Sequence, residues 1–327
     1  MKIYVACPGN SVTGGPEALH QLADSLLAQG IDASIIYYPF ESEFKTPDAY
    51  KHYRVKTSKL SEVTKNDLVV IPETRTRLAK SVPTENIAIW WLSIDHYYGY
   101  PLSHPTFNQR FNHFFRILKG RKLSLAGMKH YIHLAQSDYA SEHLSKNGLK
   151  SLKLTDYLGE SHLTKSDQTL SRVNQIAFNP KKGLRFTSAL RSNLPDFKFI
   201  PIENMTSTEV KELLAASKLY MDFGNHPGTD RLPREAAVAG CCIVTGLQGS
   251  AAFASDVAIP GRFKIDESQE NFTESFQTVV EEVFSDFENV SGEFDNYRNS
   301  IRQGRETFFK EVSGFVEALG EVERVCG

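Results

Sequence analysis

The sequence lacks long hydrophobic runs, a large net charge and any regular cysteine pattern. No apolar run approaches the ~20 residues that a helix needs to cross a bilayer, which argues against a membrane-spanning helix. The formal net charge is -2 at pH 7, so no overall field attracts nucleic acid. The four cysteines have no zinc-site spacing: Cys7, Cys241, Cys242 and Cys326. The favoured interpretation is buried free thiols in a reducing compartment.

A secretion signal is not expected either, since a strand-like segment begins at Lys2 and leaves no room for one. We therefore expect a cytoplasmic protein. The 41% apolar and 23% charged residues are typical of a folded protein. A length of 327 residues is enough for two domains of ordinary size.

Strand-like and helical segments alternate along most of the chain. After the loop "PGNSVTGG", Leu19 and Leu22 begin a helical repeat of apolar residues. Ser137 is a suitable N-cap for a later helix, and Thr206 and Glu209 have the spacing of a capping box. This alternation predicts parallel sheets that are covered by helices on both faces.

The polar stretch 156–172 interrupts this alternation and is a candidate linker. We therefore expect an α/β chain of two doubly wound, Rossmann-like domains, 1–160 and 161–300, that face each other across a cleft. Residues 301–327 are expected to form a helix that packs back toward the first domain. The tail from about residue 269 is expected to contain two long helices.

Loops at the carboxyl ends of parallel strands have the first claim on chemistry, because ligands bind there in open α/β sheets. In the first such loop, Gly14 and Gly15 allow unusual backbone conformations, and their amides open onto a helix N-terminus that can accept an anion. The loop has neither the G-x-G-x-x-G pattern nor a P-loop lysine. A tight turn without a ligand is the alternative.

A second loop, "WWLSIDHYYGYP", places Asp95 and His96 at a strand end among aromatic residues. Aromatic faces stack on sugar rings or bases, and a carboxylate can orient hydroxyls or act as a general base. Asp95 could instead cap a turn. Trp90 and Trp91 are expected to belong to the core.

A third loop, "FNPKKG", brings Lys181 and Lys182 to a strand end before a helix. Such a pair could hold a phosphate by charge, or it could be an ordinary solvated surface.

The fourth loop opens the segment "HPGTDRLPREAAVAGCCIVTG", whose charged residues directly precede small apolar ones. Glu235 lies in the first turns of the predicted helix, where the dipole favours a carboxylate, and it could bind a vicinal diol. Arg231 and Arg234 are planar donors that could neutralise a diphosphate. A capped helix with surface charges is the alternative.

Taken together, these motifs resemble those of GT-B glycosyltransferases, in particular the family 4 group of sugar-nucleotide enzymes. The resemblance rests on "GGPEALHQLADSLLAQGIDASI", "FNPKKG", "STEVKELLAASKLYMDF" and "LPREAAVAGCCIVTG". It implies transfer of a hexose from a UDP or GDP sugar to a carbohydrate or lipid-linked glycan acceptor, in bacterial surface polysaccharide synthesis. The nucleotide sugar is then a co-substrate, and no other cofactor is expected.

The resemblance also implies roles for individual residues. Glu235 would bind the ribose diol, with Lys182 and the Gly249–Ser250 amides beside the donor, while Asp95 or His96 would face the acceptor. The family's usual first glutamate is missing, since Gly228 stands seven positions before Glu235. The nearby polar candidates for its role are His226 and Asp230. Retention of configuration is implied. No dependence on a metal is expected, because no D-x-D element lies at a suitable strand end.

The segment 110–133 contains six basic residues and no acid: Arg110, Arg116, Lys119, Arg121, Lys122 and Lys129. With phenylalanine and leucine interleaved, it could rest on anionic lipid at the inner face of the membrane. An ordinary helix with a basic loop is the alternative.

Two other functions share the predicted architecture. A sugar-nucleotide 2-epimerase would act on its donor without an acceptor. A non-catalytic nucleotide-sugar binding protein would bind tightly without turnover, which the missing glutamate allows.

Overall fold

The computed structural model describes residues 1–163 and 171–326, with side chains up to residue 320. The chain divides into two compact units: unit 1 contains Met1–Tyr157 and Arg305–Gly327, and unit 2 contains Leu158–Gly304. Residues 164–170 of the candidate linker 156–172 lie outside the described residues.

Unit 1 contains a six-stranded parallel sheet with the strand order β2-β1-β3-β4-β5-β6. Its strands are β1 (Ile3–Pro8), β2 (Ala33–Tyr38), β3 (Leu68–Pro72), β4 (Ile87–Trp91), β5 (Ile132–Ala135) and β6 (Leu152–Lys153). Its helices are α1 (Gly14–Ala28), α2 (Ile94–Tyr98), α3 (Phe107–Leu118), α4 (Asp138–Lys146) and, at the end of the chain, α12 (Gly304–Cys326).

Both faces of this sheet are buried. Along β1, Ile3 and Val5 belong to one apolar cluster, while Tyr4 and Ala6 belong to another, because successive side chains of a strand point to opposite faces. Trp90 and Trp91 are fully buried, one in each cluster. The expected core role of both tryptophans is therefore confirmed.

Helix α12 supplies part of the first cluster, although it is separated in sequence from the rest of unit 1. Phe308, Val312 and Phe315 are buried there, and the Phe308 ring stacks on Trp90 with centroids 6.2 Å apart. The Glu311 carboxylate also accepts hydrogen bonds from the Thr155 amide (2.7 Å) and hydroxyl (2.6 Å).

Unit 2 contains a four-stranded parallel sheet with the order β10-β9-β7-β8. Its strands are β7 (Val173–Phe178), β8 (Phe199–Pro201), β9 (Ser217–Asp222) and β10 (Cys242–Thr245). Its helices are α5 (Glu160–Leu163), α6 (Leu184–Asn193), α7 (Ser207–Ala216), α8 (Arg231–Val238), α9 (Phe272–Ser285), α10 (Phe287–Gly292) and α11 (Asp295–Arg302).

The predicted helix starts form as the capping rules require. The Ser137 hydroxyl accepts a hydrogen bond from the Ala140 amide (3.1 Å). Thr206 and Glu209 make a reciprocal capping box at the start of α7. Cys7, Cys241 and Cys242 are buried free thiols, as expected, and the side chain of Cys326 lies outside the described ones.

The expectation of two long helices after residue 269 is wrong, because the tail forms four helices, α9 to α12. The breaks let α11 turn back onto the end of α8. Arg298 of α11 is 6% exposed and donates to the carbonyls of Ala237 (3.0 Å), Gly240 (3.2 Å) and Cys241 (3.2 Å). A helical repeat alone cannot reveal such a long-range anchor.

Among the described residues, none of the helices combines the length and the apolar character that crossing a bilayer requires.

We predict that Arg298→Leu lowers the free energy of unfolding by about 3 kcal/mol, because it leaves several buried carbonyls without a charged donor. The change is measured as a shift of the urea unfolding midpoint. Arg302→Leu is the matched control, since Arg302 lies exposed on the same helix, and we expect a change within about 0.5 kcal/mol. Equal shifts for the two variants would contradict this anchoring role.

Candidate functional site

Three loops of unit 2 meet at the carboxyl edge of its sheet: 179–183 after β7, 223–230 after β9 and 246–250 after β10. Because the strands are parallel, their carboxyl ends lie at the same edge. The Ser250 amide donates to the His226 carbonyl (2.8 Å), and the Ser250 hydroxyl donates to the Gly228 carbonyl (2.6 Å). The turn after β10 is therefore tied to the loop after β9.

Two glycines permit this close packing of loops. Gly249 has φ +63°, and a Cβ there would lie 2.0 Å from the His226 carbonyl oxygen. Gly183 has φ +55°, and a Cβ there would lie 2.7 Å from the Phe223 carbonyl oxygen. Both the positive φ and the lack of space exclude any larger residue without rearrangement of the site.

His226 is fully buried at the centre of these loops and faces two carboxylates. Its Nδ1 lies 3.0 Å from Asp230 Oδ2, and its Nε2 lies 3.7 Å from Asp222 Oδ1. The Lys182 ammonium forms an ion pair with the same Asp230 carboxylate. The four side chains thus form one connected charge network across the β7 and β9 loops.

The network shifts the pKa of its members. Burial lowers the pKa of His226, but the close ion pair with Asp230 and the charge of Asp222 outweigh burial, so the net direction is upward. Burial raises the pKa of Asp230, but its ion pairs with His226 and Lys182 lower it overall. The arrangement therefore favours a charged imidazolium next to an ionised carboxylate.

Asp222, His226 and Asp230 are also a candidate metal cluster, since their ligand atoms lie within 4.8 Å of one another. One feature favours the ion-pair network instead. The Lys182 ammonium already supplies a positive charge to Asp230.

One turn further along α8, Glu235 accepts contacts from two side chains through Oε1. Arg231 Nε lies 2.6 Å away and His162 Nδ1 3.0 Å away. Burial raises the pKa of Glu235, but the hydrogen bonds and charges of His162 and Arg231 outweigh it and lower the pKa. Glu235 is therefore held as a carboxylate with a fixed orientation.

His162 is a site residue that the sequence reasoning missed. It lies in α5, within the stretch 156–172 that was interpreted as a linker. A lone histidine in a polar segment of little periodicity carries no local signal, and its partner Glu235 is far away in sequence. Only the packing of α5 on α8 brings the two together.

The remaining charged residues of the two loops divide by location. Arg234 donates to the carbonyls of Asp230 (3.2 Å) and Thr229 (3.0 Å) and so supports the turn before α8. Lys181 is exposed, and its amide bonds to Asn179 Oδ1 (3.0 Å). Of the predicted site residues in unit 2, the structure joins Lys182, His226, Asp230, Gly249 and Ser250 through direct contacts, with Arg231, Arg234 and Glu235 beside them on α8.

Several solved structures resemble the chain over nearly its whole length. HepE of Anabaena, in complex with UDP-glucose, has a TM-score of 0.64 at 11% identity, covering 97% of this chain and 100% of that one. Sucrose-phosphate synthase of Thermosynechococcus elongatus has 0.67 at 9% identity, covering 98% and 100%. WaaG, a glycosyltransferase involved in lipopolysaccharide biosynthesis, has 0.54 at 12% identity, covering 95% and 100%. The sequence itself matches no family model and no curated protein.

The chain has a GT-B fold. The two parallel α/β sheets and the likeness to GT-B glycosyltransferases confirm the expected fold class. At these low identities, the likeness establishes the fold and leaves the reaction to be argued from the site.

In unit 1 of this GT-B chain, Gly14 and Gly15 are the first two residues of α1. The expectation of an unusual backbone there is wrong, since neither glycine has a positive φ. A Cβ at Gly14 would meet nothing within 4 Å, and one at Gly15 would meet only Leu92 Cδ1 at 3.8 Å. The side-chain positions of both glycines therefore have space around them, and binding of an anion at this helix start stays a prediction.

Asp95 and His96 lie on α2, in different surroundings. Asp95 is buried, and its Oδ1 accepts hydrogen bonds from the Leu102 amide (3.1 Å) and the Tyr139 hydroxyl (2.9 Å). His96 is exposed, and its carbonyl accepts from Lys122 Nζ (3.2 Å). These contacts give Asp95 a role in holding the loop after α2, whereas contact of either residue with an acceptor stays a prediction.

We predict that Gly249→Ala destabilises the protein by at least about 2 kcal/mol more than Gly148→Ala does. Both glycines have positive φ, +63° and +74°, but Gly249 also has ψ -136°, a backbone conformation that non-glycine residues adopt only with strain of about 1–3 kcal/mol. A Cβ at Gly148 meets nothing within 4 Å, so only Gly249→Ala adds a clash. Urea unfolding midpoints measure the difference, and equal losses would contradict the need for close packing at the site.

Proposed function

We propose that the chain is a glycosyltransferase that moves a sugar from a UDP-type nucleotide donor to a glycan or lipid-linked acceptor, in surface polysaccharide synthesis. The observation that carries the proposal is the convergence of Lys182, the Gly249–Ser250 turn and Glu235 at one carboxyl edge of unit 2. Ligands of open parallel sheets bind at this edge. The similar HepE structure contains UDP-glucose.

The Glu235 carboxylate is proposed to bind the ribose diol of the donor. Arg231 and His162 hold it through Oε1, which fixes the side chain in one orientation. A pre-oriented acceptor of this kind binds hydroxyls with little further loss of side-chain entropy. In this proposal His162 is a positioning residue.

The donor diphosphate is proposed to lie against Lys182, next to the Gly249–Ser250 turn and the arginines of α8. When the sugar leaves, negative charge develops on the diphosphate, and pre-placed cations stabilise it. In the structure, Lys182 is paired with Asp230, so it is already held at the edge of the site. Lys181 is an additional exposed cation on the same loop.

His226 and Asp230 are proposed to take the place of the glutamate that this chain lacks before Glu235. Asp230 is 20% exposed on its side chain, while His226 is fully buried behind it. The imidazolium thus keeps Asp230 ionised, and Asp230 presents the carboxylate toward the donor sugar. We propose that transfer retains the configuration of the sugar. We also propose that it needs no metal ion, because the Lys182 ammonium supplies the positive charge that a divalent metal ion would otherwise supply. Asp95 and His96 are the proposed acceptor-side residues.

We predict that Glu235→Gln weakens binding of UDP-glucose by about 10-fold, since a hydrogen bond to a charged group contributes about 1.5–3 kcal/mol. Isothermal titration calorimetry in the presence of EDTA measures it and excludes a divalent cation. Glu212→Gln, an exposed change on α7 of the same unit, is the control and keeps the native affinity. Equal affinities for the two variants would contradict the role of Glu235, and loss of native binding in EDTA would contradict metal independence.

Assays of UDP-glucose turnover by the native protein, with and without an acceptor, distinguish the reaction types. A transferase releases UDP faster when acceptor is present, whereas a 2-epimerase changes its donor without any acceptor. Tight binding with no turnover would favour a non-catalytic binding protein.

Helix α3 supports the proposed contact with anionic membranes. Four large apolar side chains are at least half exposed along it: Phe107 79%, Phe111 50%, Phe114 59% and Leu118 67%. Their spacing places them on one face, and basic residues flank them. Lys122 is the exception in the basic segment, because it is buried and binds the carbonyls of His96 and Tyr97. An apolar stripe with basic neighbours is typical of helices that lie in a lipid interface.

We predict that Phe114→Ser lowers partitioning onto phosphatidylglycerol vesicles by about 5- to 30-fold. Full burial of phenylalanine contributes ~1.5–3 kcal/mol, and burying the exposed 59% of Phe114 contributes ~1–2 kcal/mol. Vesicle co-sedimentation measures it, with phosphatidylcholine vesicles as the neutral comparison. Phe309→Ser is the control, since Phe309 is an exposed phenylalanine elsewhere on unit 1 (43%). Unchanged partitioning of Phe114→Ser would contradict the membrane contact.

A further inference from the structure

Unit 1 contains a cavity of about 610 Å³ at the carboxyl ends of β2 and β3. Its walls include Tyr38 and Phe40 from the end of β2, and Leu78 from the turn after β3. The volume lies in the range of small-molecule sites, and the position is the edge where open α/β sheets bind ligands. The described lining includes Arg121 of the basic segment 110–133 and none of the predicted catalytic or donor-binding residues.

The charged lining of this cavity is dominated by arginine. Arg75, Arg77 and Arg121 contribute guanidinium groups, and Glu41 is the acidic residue of the described lining. The Arg75 guanidinium lies 5.8 Å from the centroid of the Tyr38 ring, within the range of a cation–π contact. The cavity therefore has an excess of positive charge beside an aromatic wall.

A second carboxyl group lies close by but does not neutralise the arginines. Glu73 begins the turn after β3, is 2% exposed, and accepts a hydrogen bond from the Leu92 amide (3.1 Å). Burial raises its pKa to about 8, so it is mostly uncharged at neutral pH. The arginines are thus left for an external anion.

The two arginine-bearing segments are held together by the fold. Thr76, between Arg75 and Arg77, is fully buried, and its hydroxyl accepts a hydrogen bond from the Leu123 amide (3.0 Å). This bond joins the turn after β3 to the segment that carries Arg121. The guanidinium groups therefore project from a common, fixed backbone, which lowers the entropy that binding must overcome.

We propose that this cavity binds the anionic group of the acceptor, a carboxylate or phosphate carried on a sugar. Arginine presents paired N–H donors that match both groups bidentately, and aromatic walls suit the apolar face of a sugar ring. The proposal rests on the proposed glycosyltransferase function and narrows its acceptor to acidic or phosphorylated sugars. It assigns Arg75 and Arg77 as acceptor-binding residues.

The test measures binding of glucuronate, glucose 6-phosphate and glucose to the full chain by isothermal titration calorimetry. We expect at least one of the two anionic sugars to bind about 10-fold or more tightly than glucose, and the better one identifies the carboxylate or the phosphate as the preferred group. Arg75→Gln/Arg77→Gln is expected to remove about 10-fold or more of that affinity. The control Arg54→Gln/Arg185→Gln removes the same charge from exposed arginines outside the cavity. It is expected to keep the native affinity for the anionic sugar.

Binding of UDP-glucose is measured on the same proteins and is expected to stay unchanged in both double variants. Equal binding of all three sugars, no measurable binding of either anion, or equal losses in the two double variants would overturn the acceptor-site proposal. Each of these outcomes leaves the UDP-glucose result unaffected. Failure to bind UDP-glucose would instead overturn the proposed donor, so the two failures are distinguishable. If the melting temperature of Arg75→Gln/Arg77→Gln falls, the single change Arg77→Gln at an exposed position replaces this double variant.

Discussion

The ion pair between Lys182 and Asp230, continued through His226 to Asp222, is the interaction around which unit 2 arranges its loops. A fully buried imidazole between carboxylates is costly unless every charge has a partner, because charges lose most of their hydration in the interior. Here the partners come from the ends of β7 and β9, so the network forms only when the two strands are in register. The buried charge therefore links the sheet topology to the position of the loops.

The same constraint explains the glycines. Once His226 occupies the centre, its carbonyl must accept from Ser250, which brings the turn after β10 into van der Waals contact. Only a residue without a side chain fits at Gly249. The conformations of the loops after β7, β9 and β10 thus depend on one another. They also fix the start of α8, and with it the position of Glu235 in the second turn of that helix.

Much of the fold could be predicted from the sequence because its signals are local. Capping by Ser137 and Thr206 depends on residues three positions apart, and the buried strands appear as short apolar runs. Lys182 and Glu235 could be singled out for a similar reason, since each lies at a strand end or helix start that is recognisable in sequence, whereas Gly249 followed from the family resemblance.

The rest depends on contacts between distant segments. His162 reaches Glu235 only through the packing of α5 on α8. Arg298 anchors α11 to unit 2 by donating hydrogen bonds to carbonyls at the end of α8. The arginines beside Tyr38 look like an ordinary solvated turn until the fold closes a cavity around them. The hydrogen bonds of Asp95 with the Leu102 amide and the Tyr139 hydroxyl also depend on the fold, and its contact with an acceptor stays a prediction.

The two segments of unit 1 have a consequence for the order in which the protein is made. Phe308, Val312 and Phe315 complete the cluster that contains Trp90, yet they follow all of unit 2 along the chain. During synthesis, unit 2 emerges as one uninterrupted segment, while this cluster of the first sheet still lacks the side chains of α12. Unit 1 can therefore complete this cluster only after the whole of unit 2 has been synthesised.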